Sequence, residues 1–164
     1  MTGPGPALND RFWLGRAVEL AGRCPRSDTA FAVGAVIVGP DGRELAQGFS
    51  RAGDERDHAE EYALATLPPG TDLTGGTIYS SLEPCSARAS RPRTCTELII
   101  AAGLSRVVFA WREPAVFVDC QGAELLAAAG LAVVELPEFA AAARAVNQHL
   151  LPAARPPVRP PDGT

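Results

Sequence analysis

The amino-acid sequence predicts an α/β fold, a three-layer α/β/α sandwich built around a mixed five-stranded sheet. In the second half of the chain, strand patterns alternate with helix patterns, which is typical of right-handed parallel crossovers. In the first half, two strand patterns flank the turn signal GPDG at 39–42, which predicts an antiparallel hairpin. A sheet that contains both arrangements is mixed.

The first half supplies a helix, the hairpin and a second helix. Asp10 is placed to cap a helix whose apolar residues follow helical spacing, and Pro25 prevents its continuation. The β-branched run at 32–38 and the segment ELAQGF at 44–49 are the predicted hairpin strands. Helical spacing returns over 59–67 and stops before two consecutive prolines.

The second half supplies three further strands and three further helices. The segment GTIYSSL at 76–82 reads as a strand. Thr94 and Glu97 match the capping box T-x-x-E before an apolar run, and Gly103 is placed to end that helix. The remaining predicted elements are a strand at 106–111, a helix at 122–130, a strand at 132–136 and a terminal helix to about His149.

Length and composition indicate a single globular domain. With 164 residues the chain can bury a core without a metal as its main support, and we expect the domain over 10–151 between flexible Pro- and Gly-rich ends at 1–9 and 152–164. A net charge of -4 disfavours a general nucleic-acid or membrane-surface binder, because such surfaces are held by clustered Lys and Arg. The sequence has neither a secretory signal pattern nor an apolar run of membrane-spanning length, so we expect a cytoplasmic protein with reduced cysteines.

Three residues with metal-ligand chemistry fall at the ends of predicted elements. His58 opens a helix, Cys85 follows a strand, and Cys95 lies in the first turn of another helix. A single histidine is usually an ordinary surface or core residue, but in α/β sheets ligands gather where strand ends meet helix N-termini. Two thiolates and one imidazole bind Zn²⁺ and leave a fourth tetrahedral position for water, which is the composition of a catalytic site.

A fourth protein ligand would make the site structural instead. The candidates are Cys24, Cys120 and His149, which come from distant segments without ligand-like spacing. We expect them to be two small buried cysteines and a surface histidine.

Glu60 is the predicted proton carrier. Residues two apart do not share a helix face, but in a first turn His58 and Glu60 can both reach one water. A carboxylate there can take a proton from that water and pass it to a leaving nitrogen. The alternative is a first-turn glutamate that only stabilises the helix dipole, a role that Glu61 could fill equally well.

Five motifs occur in the same order as in a known family. They are VGAVIV (33–38), HAEEYAL (58–64), SLEPCS (81–86), CTELIIAAGLSRVVFAWREP (95–114) and ARAVNQHLL (143–151). The chain resembles the cytidine deaminase superfamily, and within it the deaminase domain of the bifunctional riboflavin-biosynthesis deaminase/reductase. The resemblance implies a cytidine deaminase-like sandwich, one zinc ion, hydrolytic loss of an exocyclic amino group as ammonia, and a homodimer or larger homo-oligomer.

The resemblance also implies roles for individual residues. His58, Cys85 and Cys95 match the zinc ligands, and Glu60 matches the proton shuttle. The backbone amide of Ala59 matches a group that helps to hold the attacked base.

The sequence departs from the riboflavin-type pattern at positions that contact substrate in the family. Ala30 replaces an asparagine, Ala87 replaces a histidine after P-C-S, and Gly48-Phe49-Ser50 replaces a G-W-H stretch. A polar site that loses a partner changes its specificity strongly, so we expect a redirected substrate preference.

Arginines and aromatic residues near the predicted pocket are candidate substrate contacts. Arg88, Arg91 and Arg93 lie in the loop between the two cysteines and could grip a phosphate or carboxylate. The alternative is a solvated loop. Phe49, like Phe31, could stack on a heterocycle or belong to the core.

The sequence therefore predicts a zinc-dependent hydrolase that deaminates a small pyrimidine or purine-like compound, with or without a phosphate. Two other functions stay open, a nucleic-acid editing deaminase and a non-catalytic zinc-stabilised binding domain. A redox pair formed by Cys85 and Cys95 is a third alternative.

Overall fold

The computed structural model describes residues 6–117 and 119–152, with side chains from residue 9 onward. The predicted flexible ends thus lie largely outside the described residues. These described residues form twelve helical and strand elements. They are α1 (Pro6–Ala21), β1 (Gly34–Val38), β2 (Glu44–Phe49), α2 (Ala59–Thr66), β3 (Thr77–Ser80), α3 (Cys95–Ala102), β4 (Arg106–Phe109), α4 (Gly122–Ala128), β5 (Ala132–Glu135), α5 (Ala140–Ala145), and two 3-10 turns, Pro137–Phe139 and Gln148–Leu150.

The five strands form one sheet in the order β2-β1-β3-β4-β5. The predicted hairpin is present, with β1 antiparallel to β2, and β1 is also antiparallel to β3. The pairs β3/β4 and β4/β5 are parallel and are joined by crossovers that contain α3 and α4. The mixed five-stranded sheet is therefore confirmed.

Helices cover both faces of the sheet. One apolar cluster joins the sheet to α1 and α5, and the other joins it to α2, α3 and α4. Their buried helical members are Leu14, Ala17, Leu20, Ala140 and Ala143 in the first cluster, together with Ala59 at the start of α2, and Ala63, Ile99, Ala123 and Leu126 in the second. The three-layer sandwich follows from these two cores, since each face of the sheet is buried by its own set of helices.

The first helix begins earlier than the sequence predicted. α1 starts at Pro6, so Asp10 is not an N-cap and residues 6–9 of the expected flexible end are helical. Pro at a first helical position is favourable because it has no N–H to satisfy. Asp10 is instead buried and accepts two hydrogen bonds of 2.6 Å from Arg106.

The single terminal helix predicted up to His149 is wrong. Pro137 starts a 3-10 turn, only six residues continue as α5, and a second 3-10 turn follows. Asn147 accounts for the break at the far end, because its side chain accepts from the Ala32 N–H at 2.7 Å and donates to the Ala32 carbonyl at 3.0 Å. These bonds tie the segment after α5 to the segment before β1.

Within the described ranges, no helix combines the length and the apolar character needed to cross a membrane.

Candidate metal centre and active site

The three predicted ligands meet at one point. His58 Nδ1 lies 3.5 Å from Cys85 Sγ and 3.4 Å from Cys95 Sγ, and the candidate ligand atoms of the three residues are all within 4.8 Å of one another. Ligands at the usual zinc distances of about 2.1 Å for nitrogen and 2.3 Å for sulfur are about 3.6 Å apart in a tetrahedron. The observed spacing therefore fits a tetrahedral zinc site with three protein ligands.

Close packing of α2 on β2 positions His58. His58 is the residue before the first turn of α2, and its neighbour Ala59 is completely buried. A Cβ atom on Gly48 of β2 would lie 2.6 Å from the Ala59 carbonyl oxygen. Glycine at 48 is thus required for the helix to lie this near the sheet.

A helix cap positions Cys95. The Thr94 hydroxyl accepts from the Glu97 N–H at 3.2 Å, and the Glu97 carboxylate accepts from the Thr94 N–H at 2.8 Å. The predicted capping box is therefore confirmed, and Cys95 is the first residue of α3. Gly103 ends the helix with a φ of 79°, which also agrees with the prediction.

The turn that carries Cys85 lies between β3 and α3. The Cys85 carbonyl accepts from the Thr96 N–H at 3.1 Å, which joins the turn to the start of α3. On its other side, a Cβ atom on Gly122 would lie only 1.9 Å from the Pro84 carbonyl oxygen. Helix α4 therefore supports the Cys85 turn from behind.

The two thiols differ in their affinity for a proton. Hydrogen bonding from Cys95 lowers the pKa of the Cys85 thiol to about 4, and His58 adds to this shift. The Cys95 side chain is the donor to that sulfur, so its own pKa is raised, and burial raises it further. A bound dication supplies the charge that ionises both thiols, which is the form that binds metal.

Glu60 is a buried carboxylate beside the ligands. It is 3% exposed, and its Oε1 accepts a hydrogen bond of 2.8 Å from the Ser80 hydroxyl. Burial raises its pKa, and the nearby Cys85 thiolate raises it further. A carboxyl group with a raised pKa can both accept and release a proton near neutral pH.

A cavity of about 920 Å³ opens over these groups. His58, Glu60 and Cys85 form part of its lining. Phe31 and Phe117 form an aromatic wall, with ring centroids 5.1 Å apart. The two rings are inclined at 66°, so the cavity offers aromatic faces and edges against which a planar ring can pack.

Comparison with known proteins matches this architecture. A family model of the cytidine and deoxycytidylate deaminase zinc-binding region matches residues 8–111. The chain belongs to this deaminase family. The predicted superfamily is thereby confirmed, and the family together with the His-Cys-Cys donor set identifies Zn²⁺ as the metal.

Individual members of the family are similar over most of this chain. The Schizosaccharomyces pombe diaminohydroxyphosphoribosylamino-pyrimidine deaminase is 40% identical over 134 residues, which are 80% of this chain and 33% of the relative. The riboflavin biosynthesis protein RibD of Escherichia coli is 37% identical over 129 residues, 77% of this chain and 33% of that protein. RibD from Acinetobacter baumannii has a solved structure with a TM-score of 0.75 and 32% identity, covering 89% of this chain and 40% of that chain.

These matches confirm the resemblance to the riboflavin-type deaminases and the deaminase fold. The chain spans about a third of the length of these curated relatives.

All three departures from the riboflavin-type pattern lie on the deaminase cavity. Ala30, Ser50 and Ala87 are among its lining residues. The Ser50 hydroxyl accepts from the Val33 N–H at 3.0 Å, so it is engaged with the backbone. Relative to the riboflavin-type pattern, small side chains therefore stand at these three positions of the cavity wall.

The arginines of the loop between the cysteines are largely neutralised by acidic residues. The Arg88 side chain is 3% exposed and donates to Glu61 Oε2 at 2.6 Å. Arg91 pairs with Asp57 at 3.0 Å and with Glu61 at 3.2 Å. These pairs tie the loop to the N-terminal end of α2.

Of the three predicted arginine contacts, only Arg88 lines the cavity. Arg91 and Arg93 are not among the lining residues, and Arg93 is exposed near Glu97 and Ile100. The loop therefore reinforces the site and does not present three free positive charges to it.

Phe49 does not lie in the cavity, where it was a candidate to stack on a heterocycle. It packs against the cluster beneath α1 and is not among the cavity-lining residues. Phe31 lines the cavity, while Trp111 is buried behind it with ring centroids 6.0 Å apart. Because side chains alternate along a strand, Phe49 and Ser50 point to different surroundings, and the cavity receives Ser50.

The sequence reasoning missed three residues of the site, Ser80, Glu113 and Phe117. Ser80 is completely buried at the end of β3, and a polar residue at the end of an apolar strand was the available signal. Glu113 and Phe117 lie in an irregular loop after β4, where periodicity carries no information. Only the fold brings that loop to the cavity.

Proposed function

We propose that this protein is a zinc-dependent hydrolytic deaminase that removes an exocyclic amino group from a small aminated pyrimidine and releases ammonia. The observation that carries the proposal is the buried Glu60 carboxylate, held by Ser80 beside the His58-Cys85-Cys95 cluster and facing the cavity. Burying a carboxylate costs free energy, and a purely structural metal site gains nothing from one that is not a ligand.

The proposed reaction exchanges an amino group for an oxygen. His58, Cys85 and Cys95 would hold the zinc ion, and its Lewis acidity would lower the pKa of a water. Glu60 accepts the proton that the water loses as its oxygen forms a bond to the ring carbon. Glu60 then delivers that proton to the amino nitrogen, the carbon–nitrogen bond breaks and ammonia leaves. The second proton of the water passes from the new hydroxyl to the adjacent ring nitrogen as the ring carbonyl forms.

The chain's own groups prepare this proton transfer. The Ser80 hydroxyl fixes one carboxylate oxygen of Glu60 at 2.8 Å, which orients the carboxylate. The raised pKa of Glu60, caused mainly by burial, favours its role as both acceptor and donor. Phe31 and Phe117 would hold the ring, and the Ala59 amide stays a predicted contact to the base.

The ion pairs that Arg88 and Arg91 form with acidic residues help to define the class of substrate. Charges already matched by Glu61 and Asp57 are weak recruiters of a polyanion, so a nucleic-acid strand is not the proposed substrate. A homodimer or larger homo-oligomer, which the resemblance implies, and a cytoplasmic location, which the sequence pattern predicts, complete the proposal.

The decisive experiment combines zinc content with ammonia release from a panel of aminated pyrimidines, purines and pterins. Glu60→Gln should retain about one zinc per chain and wild-type folding, while ammonia release falls by at least a thousandfold. Glu44→Gln is the matched control, because Glu44 is exposed at the start of the edge strand β2. Equal turnover by wild-type and Glu60→Gln protein would refute the proposal.

A further inference from the structure

Arg51 has an unusual backbone conformation for a residue with a side chain. Its φ is 61°, and among the described residues no other non-glycine residue has a positive φ. This left-handed conformation is strained for an arginine, and such strain persists where the surrounding contacts require it, most often at functional sites. Arg51 lies two residues after the end of β2 and lines the cavity that contains His58 and Glu60.

The guanidinium of Arg51 joins the two ends of a loop. Its Nε and Nη2 donate to the Pro25 carbonyl at 3.1 and 2.6 Å, and its Nη1 donates to the Phe31 carbonyl at 3.2 Å. Residues 25–31, the Phe31 loop, form neither helix nor strand, and Phe31 belongs to the aromatic wall of the cavity. A guanidinium has five N–H donors in a fixed planar geometry, so one side chain can hold both carbonyls.

The backbone of Arg51 holds the turn that leads to a candidate metal ligand. The Arg51 N–H donates to the Asp57 carbonyl at 2.8 Å, which closes the turn 51–57, and Asp57 directly precedes His58. We call this segment the His58 turn. Arg51 therefore connects two parts of the cavity wall, the Phe31 loop through its side chain and the His58 turn through its backbone.

Two residues after α5 also bind the Phe31 loop or its end. Asn147 bonds the backbone of Ala32, and His149 Nε2 lies 2.7 Å from the Ser27 carbonyl oxygen. Neither Asn147 nor His149 lines the cavity. Of the hydrogen bonds between described residues, those from the Phe31 loop to the His58 turn all come from Arg51. Without the guanidinium the loop stays attached to the fold but loses its connection to the metal-ligand side of the cavity.

We propose that Arg51 is a positioning residue that fixes the Phe31 loop relative to His58, so that the substrate meets an aromatic wall already in place. This inference rests on the proposed deaminase function, and it gives Arg51 no contact with the reacting atoms. When the wall is ordered beforehand, substrate binding does not have to order a loop, so the affinity is higher. Arg51 should therefore affect KM far more than kcat.

Arg51→Gly tests this role without disturbing the backbone. Glycine adopts a φ of 61° without strain and keeps the N–H that binds the Asp57 carbonyl, so only the guanidinium is lost. Arg43→Gly is the matched control, because it removes an exposed arginine side chain from the hairpin turn between β1 and β2. Both variants should fold and retain zinc as the wild-type protein does.

The first measurement follows the loop in zinc-loaded protein without substrate. The amides of Ala32 and Val33, which donate to Asn147 and Ser50, report on the order of this segment. Their hydrogen exchange should be about threefold or more faster in Arg51→Gly than in wild type and unchanged in Arg43→Gly. Wild-type exchange in Arg51→Gly would overturn the proposal.

The second measurement is kcat and KM for ammonia release from the aminated pyrimidines, starting with diaminohydroxyphosphoribosylaminopyrimidine and dCMP. For each compound that is turned over, Arg51→Gly should raise KM about tenfold or more and change kcat by less than about threefold. Guanidinium chloride far below denaturing concentrations should lower this raised KM and leave the KM of wild type and Arg43→Gly unchanged. A wild-type KM, a fall in kcat as large as the rise in KM, or no response to guanidinium would each overturn the proposal.

The two measurements separate this inference from the proposed function. Ammonia release with a KM unchanged by Arg51→Gly would refute the role of Arg51 and leave the deaminase standing. Absence of ammonia from every compound of the panel would contradict the deaminase, and hydrogen exchange alone would then decide whether Arg51 holds the loop.

Discussion

Glu60 and Ser80 form the pair on which the proposed chemistry depends. The serine hydroxyl donates a hydrogen bond to Glu60 Oε1. Both residues are buried, so a water molecule does not readily take the place of that hydroxyl. Glu60 follows His58 by two positions at the start of α2, whereas Ser80 comes from the end of β3. The carboxylate is thereby oriented by an element that carries none of the three metal-ligand candidates.

Replacing Ser80 by alanine should lower turnover about tenfold without removing zinc. A hydrogen bond to a charged group contributes roughly 1.5–3 kcal/mol. Only the share of this free energy that orients Glu60 for proton transfer affects the rate. The measurement is ammonia release together with zinc content. Ser81→Ala is the matched control, because its buried hydroxyl accepts from the Gly34 N–H at 3.0 Å and does not contact Glu60. Equal loss of turnover in both variants would assign Ser80 a merely structural role.

At the scale of elements, the cap of α3 controls the position of one candidate ligand. Thr94 and Glu97 satisfy the first amides of the helix, and Cys95 follows Thr94 directly. Removing the Thr94 hydroxyl leaves the Glu97 N–H without its capping acceptor, so the first turn of α3 becomes less ordered. The cap therefore links local helix stability to the geometry of the zinc ligands.

Thr94→Ala should lower the free energy of unfolding by about 1 kcal/mol and weaken zinc retention severalfold. Gly103→Ala at the other end of α3 is the control, because alanine is strained at a φ of 79° and costs a similar amount. Chelator competition with zinc-loaded protein measures the difference. Zinc retention that falls equally in both variants would mean that overall stability, and not the cap, holds Cys95.

The same elements show what the sequence could predict. Thr94, Glu97 and Gly103 have local signatures, so α3 and its cap were predicted correctly. Asp10 also looked like a cap, but its role depends on Arg106, which is 96 residues away. The pairing of Arg88 with Glu61 is equally non-local, which is why arginines that looked like free substrate contacts belong to internal ion pairs. Local patterns therefore predicted the elements and the ligand set, whereas the partners of charged residues required the fold.

Across the whole molecule, Asp10 joins the first helix to the centre of the sheet. It accepts hydrogen bonds from Arg106 at the start of β4 and from the Tyr79 hydroxyl on β3 at 2.8 Å. The hydrogen bonds from Arg106 lower the pKa of Asp10, although burial opposes the shift. This buried cluster lies outside the candidate site and should affect stability alone.

Asp10→Asn should lower the free energy of unfolding by roughly 2–3 kcal/mol near neutral pH. Because the folded pKa of Asp10 lies below its unfolded value of about 3.9, its contribution is complete above that value and is lost as pH falls below about 4. Urea unfolding of both proteins between pH 3 and 7 measures their free energies of unfolding, and the difference between the two should shrink as the pH falls. Glu19→Gln, which breaks the exposed Arg16–Glu19 pair on the same helix, should cost less than 1 kcal/mol at any pH. A constant difference between Asp10→Asn and wild type down to pH 3 would contradict the assignment.

In the proposed site, His58, Cys85 and Cys95 hold one zinc ion and leave one position for a small ligand. Zinc X-ray absorption of the purified protein tests this coordination most directly. We predict two sulfur ligands at about 2.3 Å, one histidine nitrogen at about 2.0 Å and one further light ligand at a similar distance. A shell of three or four sulfurs, or of two histidines and two sulfurs, would show a closed structural site and contradict the account.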